Sequence, residues 1–278
     1  MGILFGLLAA ICFGLADFVV TQATRRIGVL QALFAIQLFG VLVVGGVLAF
    51  TQQAPPRSFG IWAFMGGISI INFVGTLLLY RAFAVGTLSL VSPIASGFAV
   101  VTAVLALLTG ERPPVLTLVG TVLLVLGVIV VARARGVLGP SSLAGLPEAV
   151  GVTICFGVYF WALNRITPTL GVLWPVWVTR LVQLFCALLV LRVRGPFKLG
   201  MVWPMAPLLL VAAILDSGAL LSFNLGVGQT YTTITTALTS LYSAITILLA
   251  WMFLNERLMI WQWVGVGVIL TGVLLVSV

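Results

Sequence analysis

Arg180, Asp216 and Asp17 are ionisable side chains set inside long apolar stretches of a 278-residue chain. A charge at membrane depth is costly unless it is paired or hydrated, so each such group marks a functional site by default. The planar fork of Arg180 suits recognition of a carboxylate or phosphate, and Trp177 and Gln183 lie one helical turn to either side. Two roles fit Arg180: a substrate anchor, or a partner that neutralises Asp216 in the next apolar stretch; both hold if substrate displaces the pair. Asp216 and Asp17 are candidates for proton coupling, because desolvation favours a neutral acid whereas an approaching guanidinium favours the carboxylate. Asp17 lies nearer the end of its stretch, where facing the headgroups or capping a broken helix is the alternative role.

Polar side chains supply the remaining candidates. Asn72, Thr76 and Tyr80, together with Ser69, share one face at helical spacing. Such a stripe lines a cavity or hydrogen-bonds a neighbouring helix. Asn224 and Gln229, beside a short turn, are expected at one mouth of the cavity or at the membrane interface. Thr232, Thr235, Thr236, Thr239 and Ser243 form a broader hydroxyl face that serves helix packing by bonding its own backbone. Cys12, Cys155 and Cys186 stand singly in apolar surroundings, without the spacing of a disulfide framework or a zinc site. The chain has no His and no nucleophile with a nearby base, so the expectation is neither an enzyme nor a cofactor or metal protein.

The elements that position these residues follow from composition. Apolar residues make up 62% of the chain and charged residues 6%, against roughly a quarter charged in soluble proteins. Lipid must therefore be the principal solvent. The net charge of +8 comes from Lys and Arg scattered singly or in pairs at the ends of apolar segments, a membrane-topology pattern that argues against a nucleic-acid partner. The N-terminal apolar run has no basic leader and no small-residue cleavage pattern, so it is expected to remain as the first span.

A span needs about 20 predominantly apolar residues, and ten stretches qualify: 3–21, 30–50, 59–83, 87–108 and 115–131, then 148–165, 171–191, 203–225, 230–254 and 260–278. Between the two sets lies a turn-rich break containing Arg133, Arg135, Gly136, Gly139, Pro140, Ser141 and Ser142. The expected organisation is a first five-helix repeat over 1–131, a connection over 132–147 and a second repeat over 148–278. Internal similarity supports it. Cys12-Phe13-Gly14 recurs as Cys155-Phe156-Gly157, and Leu78-Leu79-Tyr80 is echoed by Leu221-Ser222-Phe223 at the same offset of 143 residues. Gly110-Glu111-Arg112 is matched by Asn255-Glu256-Arg257, and Val119-Gly120 by Val264-Gly265, two residues further on. Phe160 takes the place equivalent to Asp17, so the acid is not duplicated. A repeat with an odd number of spans sets its second copy upside down, which gives an all-α integral membrane fold of ten transmembrane helices in two inverted repeats.

The stretch from Tyr80 through Ala82, Gly86 and Pro93 to Gly110-Glu111-Arg112 and Gly120, with Asn255-Glu256-Arg257-Leu258, Gln262 and Gly265 in the second half, resembles the drug/metabolite transporter superfamily, in particular its ten-span EamA-like members. Gly14-Leu15-Ala16-Asp17-Phe18 and Arg25-Arg26-Ile27-Gly28 are similar to first spans of bacterial members. The resemblance implies a multi-pass carrier of metabolites or drugs in the plasma (inner) membrane, often an exporter. Its four-span bundles would rock about a site lined by the third, seventh and eighth spans, with the fifth and tenth helices supporting packing or a homodimer. Leu238 stands where the first repeat has Pro93, so the halves are expected to differ in role.

Several secondary expectations complete the reading. Arg25, Arg26, Arg133, Arg135, Arg192, Arg194 and Lys198 follow odd-numbered spans, and Arg57, Arg112 and Arg165 follow even-numbered ones. Counted this way the termini lie outside, whereas the resemblance implies cytoplasmic termini; both readings put the termini on one side. Glu111 and Glu256 suit helix N-terminal dipoles and loop ion pairs. Trp174, Trp203, Trp261 and Trp263 suit aromatic belts, and the small-residue face around Gly265, Gly267 and Gly272 suits packing or a homodimer. The function expected is secondary active transport of a small solute across the bilayer by alternating access, coupled to protons or run as exchange. A flippase for lipid-linked substrates and a non-transporting membrane scaffold are the alternatives.

Overall fold

The computed structural model describes residues 1–55, 59–112, 114–133, 144–194, 199–254 and 260–277. Arg57, Lys198, most of the connection between the halves, and Asn255-Glu256-Arg257-Leu258 lie outside the described residues. All regular structure among the described residues is helical. In the first half it comprises α1 (Gly2–Ile27), α2 (Val29–Thr51), α3 (Phe59–Val85), α4 (Leu88–Ala95), α5 (Phe98–Leu108) and α6 (Val115–Arg133). The second half comprises α7 (Leu146–Leu170), α8 (Leu173–Arg194), α9 (Leu199–Val202), a 3₁₀ turn at Trp203–Met205, α10 (Ala206–Val227), α11 (Thr232–Thr239), α12 (Tyr242–Leu254) and α13 (Ile260–Ser277). Among the described residues eight stretches are long and apolar enough to cross a membrane; they include α4 with α5, and α11 with α12, as interrupted crossings. The remaining long helices, α6 and α13, pack along each other.

The fourth and ninth stretches, expected as continuous spans, are broken helices. Pro93 has no N–H to donate and explains part of the first break, yet α11 breaks as well with Ala237, not the expected Leu238, at the matching sixth position of its helix. What the two breaks share is a serine. Ser96 Oγ donates to Pro93 O at 2.8 Å and Ser240 Oγ to Ala237 O at 2.7 Å. Around each serine the backbone shifts to three-residue bonds, such as Gly97 N to Ile94 O and Leu241 N to Leu238 O. A serine hydroxyl competing for a helical carbonyl offers the backbone this alternative.

The repeated Cys-Phe-Gly motif is a device for close approach. A Cβ on Gly157 would lie 2.4 Å from Cβ of Val101 in α5, and one on Gly14 would lie 2.7 Å from Cβ of Ile245 in α12. Beside each crossing a threonine bridges the halves: Thr102 Oγ1 donates to Gly157 O at 3.0 Å, and Thr246 Oγ1 to Gly14 O at 3.4 Å. A second duplicated device joins each half's first two spans. Gly28 (φ 86°) and Gly171 (φ 72°) occupy backbone conformations that L side chains rarely adopt, and their N–H groups close on Thr24 O and Thr167 O.

The main packing runs between the halves. α1 lies on α10 and α12 while α7 lies on α3 and α5; α2 meets α8 and α6 meets α13. Exchanging the halves maps the α1 pairings onto the α7 pairings and leaves α2–α8 and α6–α13 unchanged. Polar contacts fasten the ends of the bundle. Arg25 donates from Nε to Phe83 O at 3.2 Å and from Nη2 to Gly86 O at 2.9 Å, covering the open C-terminal carbonyls of α3. Glu111 accepts from Thr232 N at 2.6 Å and from Thr233 Oγ1 at 2.8 Å. It therefore caps α11 in the other half, not the α6 helix that follows it in sequence.

Gly157→Ala should lower stability by about 1–3 kcal/mol through overpacking against Val101, seen as a lower unfolding temperature in detergent. Val101→Ala in the same chain should restore most of the loss. Gly66→Ala, where a Cβ meets nothing within 4 Å, should be neutral or slightly stabilising.

Candidate functional site

Arg180 belongs to the stripe of α8 that faces protein: Val176, Thr179, Arg180, Gln183 and Ala187 are all buried. The facing stripe of α3 carries Ser69, Asn72, Thr76 and Tyr80. Placing polar groups on these inward faces spares them from lipid. Arg180 is 2% exposed, and its Nη1 donates to Asp216 Oδ2 at 2.7 Å and to Gln37 Oε1 at 3.0 Å. The guanidinium passes over Gly40, where a Cβ would sit 3.0 Å from Arg180 Cδ. Its Nε and Nη2 have no protein partner among the described residues.

This ion pair lies on the wall of a cavity lined by residues of both halves. Asp17 (α1), Asn72, Thr76 and Tyr80 (α3), Arg180 (α8) and Asp216 (α10) form its polar lining. The apolar lining is mainly aromatic: Phe13, Phe98, Phe156, Phe160 and Tyr242. Phe160 is the hub, with its ring stacked on Phe98 at 4.8 Å and edge-on to Phe13 and Phe156 at 6.3 Å each. Edge-to-face and offset rings make a firm, low-entropy wall. The cavity thus offers a cation, two acids, a few neutral donors and acceptors, and flat apolar surfaces, a composition typical of a small-molecule site.

The expected residues separate in space. Asp17 does not reach the headgroups: it is 6% exposed, lines the cavity, and leaves Oδ2 unpartnered among the described residues. Gln183 stands behind the wall, donating from Nε2 to Asn72 Oδ1 and, at 3.2 Å, to Thr76 Oγ1. Ser69 is held in an interhelical contact, with its hydroxyl 3.3 Å from that of Thr179, which in turn lies 3.0 Å from the Tyr159 hydroxyl. Trp177 lies outside the lining, edge-on to Trp174 at 5.7 Å. Trp174, half-buried at the start of α8, also meets Trp62 at 5.5 Å and so belongs to a tryptophan cluster. Asn224 is elsewhere: its Nδ2 donates to Val172 O at 3.1 Å, and with Gln229 it lines a separate recess near the α7 and α10 C-termini.

Two features escaped the sequence reading. Gln37, which holds Arg180, had a signal, because the offset of 143 residues places it at the position equivalent to Arg180. The two equivalents face one another where α2 packs on α8. The aromatic wall had no distinguishing signal, since the chain has 17 phenylalanines and eight of the ten expected spans carry at least one.

The sequence matches a family model, the EamA-like transporter family, over residues 1–133 and 143–278. No curated protein matches it. One solved crystal structure superposes with a TM-score of 0.74 at 16% identity, covering 99% of this chain and 96% of that chain. That likeness is one of fold.

Arg180→Ala should destabilise the protein by up to about 3–5 kcal/mol, because it leaves the half-buried Asp216 carboxylate without its counter-charge. The double variant Arg180→Ala/Asp216→Ala should recover a large part of that loss in thermal unfolding. Additive effects of the two substitutions would show that the pair contributes no coupling.

Proposed function

We propose, from the premise that this chain belongs to the EamA-like transporter family of the drug/metabolite transporter superfamily, that it is a secondary active carrier whose substrate site is the cavity between its halves. Membership makes it a membrane transporter of small solutes. The observation that carries the site assignment is Arg180, a buried guanidinium with two nitrogens that have no partner among the described residues, on the wall of a cavity to which both halves contribute. In this reading Arg180 anchors an anionic group, Asp216 is its resting counter-charge, and Asn72, Thr76 and Tyr80 orient the substrate. The aromatic wall takes the apolar part, and Trp177 and Gln183 support the anchor from behind. Asn224 lines an entrance, and Asp17 and Asp216 are the proton-coupling candidates.

Ten spans, with α6 and α13 as the fifth and tenth, are part of the same proposal, as is the division into repeats over 1–131 and 148–278. Support for an inverted relation comes from the contacts. The ends of α1 and α3 meet through Arg25, so those two helices run the same way. Leu78 lies against Gly151 while Gly75 lies against Phe156, so α7 runs opposite to α3. Rocking of the halves about the cavity, in the plasma membrane and with both termini on one side, is the alternating-access mechanism that this geometry suits. Export is the direction proposed. A scaffold would have no use for buried charges around a cavity, which favours transport over that alternative.

A thermal-shift screen of the purified protein against organic anions, amino acids, nucleosides, sugars and cationic drugs tests the site. Ligand at about 100 times its Kd adds about 2.7 kcal/mol to stability, a shift of several degrees. An anion should stabilise the wild type but not Arg180→Gln/Asp216→Asn, which keeps the site's charge balanced. Equal stabilisation of both proteins by cations alone would make Arg180 a structural residue.

A further inference from the structure

Away from the central cavity, two recesses adjoin at one end of the bundle, and Asn164 of α7 lines both. The first also takes in Thr109 and Glu111 after α5, with Trp161 and Arg165 of α7. Arg165 is exposed and forms no ion pair among the described residues. Its guanidinium lies 5.4 Å from the centre of the Trp161 ring, and Nη2 donates to Thr109 O at 3.4 Å. Glu111 is the acid of this recess, and both its oxygens are already engaged in the α11 cap. The lining charges therefore sum to zero, with the cation left to meet a counter-ion. The second recess has acceptors but no charged side chain in its lining. Asn224 is 1% exposed, and because its Nδ2 donates to Val172 O the amide is held one way round, leaving Oδ1 without a donor among the described residues. Thr167 gives its hydroxyl hydrogen to Leu163 O, and Pro168 has no N–H for the Asn164 carbonyl one turn back. Both α7 and α10 end here, and helix C-termini carry partial negative charge. Such a recess calls for a positively charged donor.

We propose that the two recesses together hold the phosphoethanolamine headgroup of a membrane lipid, its phosphate on Arg165 and its ammonium among the acceptors around Asn224. Trp161, beside Arg165, has the amphipathic ring that sits at headgroup level. Leu107 and Leu108, exposed on the last turn of α5 just before Thr109, offer apolar surface to an acyl chain. A headgroup of zero net charge matches a lining of zero net charge, whereas an anionic lipid would bring a negative charge with no cation left over. A choline headgroup has the same net charge but no N–H, so it leaves Asn224 Oδ1 buried and unsatisfied. The site is separate from Arg180 and does not depend on the anion-anchor reading.

Thermal unfolding of the detergent-purified full chain, titrated with phosphatidylethanolamine, phosphatidylcholine or phosphatidylglycerol of identical acyl chains, reads the preference. Phosphatidylethanolamine should bind about tenfold more tightly than phosphatidylcholine, the worth of one charge-assisted hydrogen bond, and phosphatidylglycerol no more tightly than phosphatidylcholine. Arg165→Gln, at an exposed position, should weaken phosphatidylethanolamine binding, and Asn224→Leu should erase its advantage over phosphatidylcholine. Equal affinity of the wild type for the ethanolamine and choline lipids overturns the proposal, and this comparison needs no variant to fold. A preference undiminished in both variants overturns it too, because the headgroup then binds elsewhere. Preference for phosphatidylglycerol would make the site a plain anion site and overturn the ammonium assignment. An equal shift from soluble O-phosphoethanolamine at the same concentration would make the ligand a solute and overturn the lipid assignment.

Discussion

Lipid tails are as apolar as leucine, so nothing drives two apolar helices together in a bilayer as water does in a soluble core. Association depends on close contact and on polar groups that find partners. The crossings at Gly14 and Gly157 meet this constraint directly: the missing Cβ lets α1 reach α12 and α7 reach α5, and a threonine from the facing helix bonds the glycine carbonyl. Because each crossing joins a helix of one half to a helix of the other, neither half is complete alone. The space left between the halves is the cavity.

The scaffold is symmetric and the site is not. Duplicated glycines, serines and threonines set the turns, breaks and crossings in matching places. Positions that face the cavity have diverged: Gln37 answers Arg180, Phe160 answers Asp17, and Phe223 answers Tyr80. In the proposed carrier, a two-fold arrangement of packing would permit two equivalent states of closure, and a single guanidinium would give the cargo one place to hold. The divergence also limits cost, since a second buried Arg facing the first would add an uncompensated charge.

The broken helices lie where flexibility is useful. α4 with α5, and α11 with α12, meet across the halves beside the cavity, with the Tyr242 hydroxyl 3.5 Å from Ser92 O. Serine-stabilised breaks weaken the helical ladder without placing unpaired backbone in lipid. At one end of the bundle the Glu111 cap on α11 ties a first-half loop to a second-half half-helix.

Much of this was legible in the sequence. Eight of the ten apolar stretches coincide with single helices to within about six residues at either end, because span length is set by bilayer thickness and not by partners. The pairing of Arg180 with Asp216 was legible for the same kind of reason: an isolated charge at that depth has few tolerable environments. The tertiary structure decided what depends on which helix faces which. It brought Gln37 to Arg180, turned Ser69 and Gln183 to neighbouring helices, and moved Asn224 to a separate recess. It also assembled phenylalanines from α1, α5 and α7 into one wall. A helical period tells which residues share a face, but the direction of that face is fixed only by packing against other helices, and in a uniformly apolar chain the sequence carries little trace of it.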